Sequence, residues 1–289
     1  MSLLRPYRFA GGTAVLTGAA SGMGEQMAYG LAARGSNLVL LDRDAERLNN
    51  VVHIVRDRHP DLRVHALVVD LAHQDGLDTA VEQILVDHPR ITLLVNNAGV
   101  AMDGWFEDLS AEEFDWVVRI NFHAPVTLTR RLLPILRSSP GSHIVNVSSL
   151  FGLIAPPGQV AYASSKHALR GFSEALRHEL APPAIGVTTV HPGGIRTRIS
   201  ESARIAASLA DKQPGNAGSA SFDKMLTYPA DRAAAGILDA IAKRKGRVII
   251  TRLAIFADIV GRIFPSTYWT VLSRLRPSAT GASRVTPTR

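Results

Sequence analysis

The sequence predicts a doubly wound α/β domain built on a parallel seven-stranded sheet, and three observations predict it. Short runs that are apolar along their whole length alternate with longer helical stretches, as strands of a sheet covered on both faces do. A glycine-rich segment, "TGAASGMG", follows directly on the first run. Four separate runs end in small or polar residues, in "TGAASGMG", "NNAG", "SS" and "HPGG". Packing alone does not explain that coincidence, whereas ligands of such sheets bind beyond the carboxyl ends of the strands.

The elements follow in order. "TAVLTG" (13–18) is the first strand, and "EQMAYGLAARG" (25–35) a helix that ends at a glycine. "NLVLLD" (37–42) is the second strand, followed by a helix over 44–58. "RVHALVVD" (63–70) is the third, with a helix over 73–87. "ITLLVNNAG" (91–99) is the fourth, and a long helical region covers 110–137. "SHIVNVSS" (142–149), "GVTTVHPGG" (186–194) and "GRVIIT" (246–251) complete the set, with a helix over 161–180 between the first two. No internal repeat occurs at the periods of solenoid proteins.

The bulk numbers exclude several classes. A chain of 289 residues, 46% hydrophobic, suffices for one large core. It has no cysteine, so disulfide frameworks and thiolate chemistry are excluded and a reducing compartment fits. The start, "MSLLRPYRFAGG", has neither the apolar run nor the cleavage site of a secretory signal. No apolar run is long enough for a spanning helix. A cytoplasmic protein is expected. The net charge of +7 is uneven: residues 243–289 carry ten Lys or Arg against Asp258, giving +9, so the other residues sum to −2. That argues against a nucleic-acid-binding surface over the whole domain.

In the glycine loop, Gly18, Gly22 and Gly24 let the backbone turn tightly and approach a pyrophosphate, at a helix start that offers free N–H groups. The spacing is G-x-x-x-G-x-G rather than G-x-G-x-x-G. Asp42 ends the second strand, where a carboxylate accepts ribose hydroxyls and repels a 2′-phosphate, favouring NAD over NADP. Arg43 follows and meets a 2′-phosphate if its side chain turns inward, so NADP is not excluded. Asp70, at the end of the third strand, is either an adenine contact or a helix cap.

Two segments depart from the alternation. Residues 196–228 have a small, polar centre, "KQPGNAGSAS", expected to be mobile. Their flanks carry Ile199, Ile205, Leu209, Phe222, Met225 and Leu226. They read as a helical lid over a pocket, or as a plain surface loop. In the extension 252–289, Leu253, Phe256, Ile259, Val260 and Ile263 recur at helical spacing, Pro265 interrupts, and Tyr268, Trp269, Leu272 and Leu275 continue an apolar face among arginines. This reads as helices packed on their own domain or on a second subunit, or as a peripheral membrane-surface helix.

Tyr162 and Lys166 stand one helical turn apart in "YASSK". Such a pair is ordinary on a helix surface, but a neighbouring cation also favours phenolate and tunes a proton donor. With "TGAASGMG", "NNAG" (96–99), Asn121 in "RINFHA", "VNVSS" (145–149), "YASSK" (162–166) and "HPGG" (191–194), in this order and spacing, the chain resembles the classical short-chain dehydrogenase/reductase family over residues 10–251. The resemblance implies a single Rossmann-type domain with strand order 3-2-1-4-5-6-7 and a catalytic tetrad of Asn121, Ser149, Tyr162 and Lys166. Ser148 is the competing serine and reads as a strand residue that bonds locally.

The resemblance also implies a cofactor-binding set. It comprises Gly18, Ser21, Gly22, Met23, Gly24, Asp42, Arg43, Asp70, Leu71, Asn97, Ala98, Gly99, Tyr162, Lys166, Pro192, Gly193, Ile195 and Thr197, with Thr197 alternatively a cap at the start of the lid. No metal is implied. In the implied roles, Tyr162 exchanges the substrate proton, Ser149 donates to the substrate oxygen, and Lys166 holds the nicotinamide ribose and lowers the phenol pKa. Asn121 binds a water that relays protons. Bringing a phenol from about 10 to near 7 takes about 4 kcal/mol. The family commonly forms homotetramers or dimers. The apolar segment "LFGLIAPPGQVA" (150–161) suggests an apolar alcohol or ketone, of sterol, retinoid or lipid type. The alternatives are a non-catalytic dinucleotide-binding sensor or scaffold, and a nucleotide-sugar epimerase or dehydratase, for whose substrate domain no length remains after residue 251.

Overall fold

The computed structural model describes residues 5–181, 185–198, 203–210 and 226–274. Seven strands form one parallel sheet: β1 (Thr13–Thr17), β2 (Asn37–Asp42), β3 (Val64–Val68), β4 (Leu93–Asn96), β5 (His143–Val147), β6 (Gly186–Pro192) and β7 (Arg247–Ile250). Their spatial order is β3-β2-β1-β4-β5-β6-β7. It reverses direction between β1 and β4, where such a sheet opens a crevice. Pairing is in register through Val15↔Val39, Leu16↔Val95, Val95↔Val145 and Val145↔Thr188.

Strand periodicity decides which core each side chain joins. Leu16, Leu38, Leu40 and Val95 point to one face, which is covered by α1 (Gly22–Ala32), α2 (Ala45–Arg58) and α8 (Ala230–Ala242). Val15, Val39, Leu41 and Leu94 point to the other, beneath α3 (Gln74–Asp87), α5 (Ala124–Arg137) and α6 (Val160–Glu179). α2 starts where the Asp44 carboxylate accepts from Arg47 N. α4 (Ala111–Val118) starts in a capping box of Ser110 and Glu113.

Two features depart from the sequence expectation. The helical region over 110–137 is two helices joined by a π-helical turn, Arg119–His123, with Asn121 at its centre. Helix α8 was not anticipated. Its stripe of Ala233, Ala234, Ile237, Leu238 and Ile241 packs on α1, so closely that a Cβ on Gly30 would lie 2.5 Å from Leu238 Cδ1.

Arg244 organises the opposite end of the sheet from the crevice. Its guanidinium donates to the carbonyls of Arg5, Ser142 and Gly141 and to His143 Nδ1. His143 Nε2 is left to donate to Thr188 Oγ1 at 2.7 Å. Burial, reinforced by the Arg244 charge, pushes the His143 pKa down to about 3.

Of residues 196–228, the two ends are fastened together: Ile195 and Tyr228 form a bridge, and Arg196 N donates to Tyr228 O at 2.8 Å. Arg204–Ile205 pairs with Met102–Asp103, the short helix α7 (Ala207–Ala210) follows, and Arg204 stacks 4.0 Å from the centroid of the Trp116 ring. The polar centre, with Ile199, Phe222 and Met225, lies outside the described residues. In the extension, α9 (Arg252–Ile263) and α10 (Tyr268–Arg274) flank the turn at Pro265. Among the described residues no helix is long and apolar enough to cross a membrane.

Candidate active site

A cleft of about 490 Å³ opens at the carboxyl ends of the strands, between the loops after β1 and β4, within the usual size of a small-molecule site. Of the residues expected to bind cofactor, Gly18, Ser21, Gly22 and Met23 line it from the first loop, and Asp42 and Arg43 from the second. Asp70 and Leu71, then Asn97, Ala98 and Gly99, line it from the loops after β3 and β4. Pro192, Gly193, Ile195 and Thr197 close the far side, and Ser149, Tyr162 and Lys166 lie at one end. Gly24 and Asn121 do not line the cleft. They sit behind its wall.

The glycines have identifiable steric reasons. Gly18 has φ +67°, and a Cβ there would lie 2.9 Å from Ala98 Cα. A Cβ on Gly24 would lie 1.8 Å from Gly18 O, so the first turn of α1 crosses the loop at a distance only glycine permits. The loop is stitched to the β4 turn: Asn97 Nδ2 donates to the carbonyls of Thr17 and Gly18, at 3.0 and 3.2 Å. Asp42 Oδ2 accepts from Ala20 N at 2.9 Å, and Oδ1 from Asp44 N at 3.1 Å. Each oxygen keeps a lone pair for a further donor. Ser21 is the N-cap of α1 but its side chain makes no capping bond. The backbone amides of that first turn thus border the cleft with a positive dipole end, which fits a bound pyrophosphate. Asp70 Oδ1 accepts from Ala72 N at 2.9 Å, tightening the turn before α3.

Helix α6 carries Tyr162 and Lys166 and is pinned to the sheet beneath them. Asn146 Nδ2 donates to Ser173 Oγ at 2.8 Å, and Ser148 Oγ to the Lys166 carbonyl at 2.9 Å. Ser148 is therefore spent on the helix, while the Ser149 hydroxyl, which tempers the rise of the Tyr162 pKa, lies in the cleft that both residues line. Ser149 Oγ also accepts from Phe151 N at 3.1 Å. The Phe151 ring stands edge-on to Tyr162, with centroids 6.0 Å apart. Lys166 Nζ donates to Val147 O at 3.0 Å and lies 5.7 Å from the Tyr162 ring centroid. Gly99 passes directly above, where a Cβ would lie 3.1 Å from Nζ.

Electrostatics departs from the simple expectation that the ammonium lowers the phenol. Burial raises the Tyr162 pKa, and the Ser149 hydrogen bond opposes it. The same burial lowers Lys166 to about 8. Both groups share one dry pocket, and each resists its own charge there. The protein alone therefore holds the phenol protonated.

Asn121 is fully buried, and its carboxamide is committed. Nδ2 donates to Val100 O and Ser165 Oγ, at 2.9 and 3.0 Å, and Oδ1 accepts from Val100 N at 2.9 Å. The side chain fastens the π-helical turn to the loop after Gly99.

Sequence reasoning missed two groups. His191 is fully buried, and its Nδ1–H donates to the Ser149 carbonyl at 3.0 Å. Burial pushes its pKa down to about 4, so it is neutral at pH 7. The "HPGG" motif drew attention to its glycines, not to its histidine. The second is Asp103, held by Gln159 Nε2 three residues before Tyr162. Burial raises the Asp103 pKa. Among the described residues no cluster of His, Asp or Glu is placed to hold a metal ion.

A parallel sheet with this order, a glycine loop ahead of α1, and a serine, tyrosine and lysine grouped at the strand ends define the short-chain class of dinucleotide-binding folds. The family model described as short chain dehydrogenase matches residues 12–207. SadH of Mycobacterium tuberculosis is 34% identical over 90% of this chain and 93% of its own. Dehydrogenase/reductase SDR family protein 7-like of Anopheles gambiae is 32% identical over 91% of this chain and 83% of its own. A short-chain dehydrogenase/reductase from Burkholderia phymatum, solved in complex with NAD, superimposes with a TM-score of 0.80 at 26% identity, over 96% of this chain and 99% of that one. One from Sphingobium yanoikuyae, solved with NADPH, gives 0.71 at 29% identity, over 94% and 99%. The chain belongs to the short-chain dehydrogenase/reductase family and is an oxidoreductase.

Proposed function

We propose that the chain interconverts an apolar alcohol and its ketone or aldehyde with a nicotinamide dinucleotide, NAD preferred. The observation that carries this reading is that Ser149, Tyr162 and, one turn on, Lys166 line one cleft whose walls also carry Asp42. When bound, the nicotinamide supplies the hydride donor or acceptor. The first-turn amides of α1 would hold the pyrophosphate, Asp42 the adenosine ribose hydroxyls, and Asp70 the adenine. Arg43 and Arg47 line the cleft close to Asp42 in the chain, but a 2′-phosphate would have to sit against the carboxylate, which favours NAD.

Tyr162 gives its proton to the carbonyl oxygen in reduction and takes the hydroxyl proton in oxidation. Ser149 donates to that oxygen as charge develops. Lys166, with a pKa of about 8, remains largely protonated at pH 7 and offsets charge on the phenolate. It would also hold the nicotinamide ribose. Asn121 serves as a positioning residue, since both its amide hydrogens are spent on Val100 O and Ser165 Oγ, while its oxygen, which accepts from Val100 N, keeps one lone pair for a relayed water.

The cleft's other lining, Val100, Leu150, Phe151, Ile195 and Leu226, supports the reading of an apolar substrate. Thr197 and Leu226 belong to the two ends of the 196–228 segment and both line the cleft, which supports its reading as a lid. The test is turnover followed by nicotinamide absorbance, with NAD and NADP, across sterols, long-chain alcohols and small polyols. Turnover of the apolar set with NAD supports the reading. Turnover confined to polyols would overturn the substrate class.

A further inference from the structure

Helix α9 is apolar on two opposite sides. Ala254, Ala257 and Val260 are buried, and α9 packs on Leu150 of the cleft wall and on Ile154 behind it. At ~100° per residue, Ile255, Phe256, Ile259 and Ile263 share the reverse side. They are 45%, 45%, 48% and 63% exposed. A helix that only covered its own domain would carry polar residues there.

Charge identifies the occupant. The single acid after residue 242, Asp258, is bound by Arg247 and Arg262. Arg252 and Arg274 are exposed along the extension. Residues 243–289 carry +9 while the remainder of the chain carries −2. Two copies meeting about a twofold axis on this face would bring two such tails together, a like-charge arrangement that opposes association. An anionic lipid surface satisfies both features, accepting the apolar face and attracting the basic residues.

We propose that α9, with α10, docks the protein on anionic bilayers, with α9 in the plane of the interface and Ile255, Phe256, Ile259 and Ile263 turned into it. The docking face shares no residue with the catalytic reading, and the inference stands or falls apart from it.

The test is co-sedimentation of the full chain with vesicles of phosphatidylcholine alone and of phosphatidylcholine mixed with phosphatidylserine. The chain is expected to pellet with the mixed vesicles only, less so at high salt. The Phe256→Glu, Ile259→Glu variant is expected to lose roughly tenfold or more in vesicle affinity while keeping its turnover and thermal transition. If that variant does not fold, Arg252→Gln with Arg274→Gln reads the same affinity. No pelleting, equal pelleting with both vesicle types, or variants that bind like the parent would overturn the proposal. So would a variant that only changes the sedimentation coefficient of the free protein, which would make the face a subunit contact.

Discussion

Replacing Lys166 with methionine tests how the buried ammonium is tolerated. Nζ is removed from water, and burial holds its pKa at about 8 against an ordinary 10.5. The gap amounts to roughly 3 kcal/mol at about 1.4 kcal/mol per pH unit. Only 2% of the residue is exposed, so solvent does not screen the effect. The sign is fixed by which state holds the proton more tightly. Below pH 8 both states are protonated and the folded state carries the full cost. Between 8 and 10.5 the folded chain has released a proton that the unfolded chain keeps, so stability rises with pH. Above 10.5 the cost is gone.

Methionine fills the stem's volume without a charge, and any loss at the Val147 carbonyl is independent of pH. Guanidinium unfolding of both proteins across the alkaline range is the assay. Parent stability relative to Lys166→Met should climb by about 2 kcal/mol between about pH 7.5 and pH 10. A difference that stays flat, or falls, would refute the reasoning.

Two further outcomes are expected. His143, held near 3 by burial, opposes folding in acid, because the unfolded chain binds its proton first as pH falls below 6.5. His143→Gln should therefore lose about 3 kcal/mol less stability than the parent between about pH 6.5 and pH 4, read by urea unfolding, and parallel acid losses would contradict this. Asp42→Ala should raise the NADP-to-NAD ratio of kcat/KM by roughly tenfold, about 1.4 kcal/mol, and an unchanged ratio would remove Asp42 from cofactor choice.

The inner strands were legible because they are buried on both faces, so "NLVLLD" and "HIVNV" have no polar alternation to confuse. The glycine loop was legible because only glycine tolerates the approach of Gly24 to Gly18 O. Helix α8 was missed although Ala233, Ala234, Ile237, Leu238 and Ile241 repeat at helical spacing, because alanine signals burial weakly. The π-helical turn at Asn121 inserts one residue into otherwise helical periodicity, and sequence pattern does not reveal it. His191 reaches Ser149 only through the pairing of β5 with β6. The direction of the Tyr162 pKa depends on how dry its pocket is, which neighbouring residue types do not specify. In the extension, packing and exposure both hold, on opposite sides of α9.

The grouping of Ser149, Tyr162 and Lys166 for proton exchange beside a nicotinamide is tested most directly by Tyr162→Phe, which removes one hydroxyl and leaves the ring against Phe151. Turnover is predicted to fall by roughly a hundredfold or more while nicotinamide fluorescence titration shows cofactor affinity unchanged. Turnover that survives the loss of the hydroxyl, with cofactor still bound, would contradict the account.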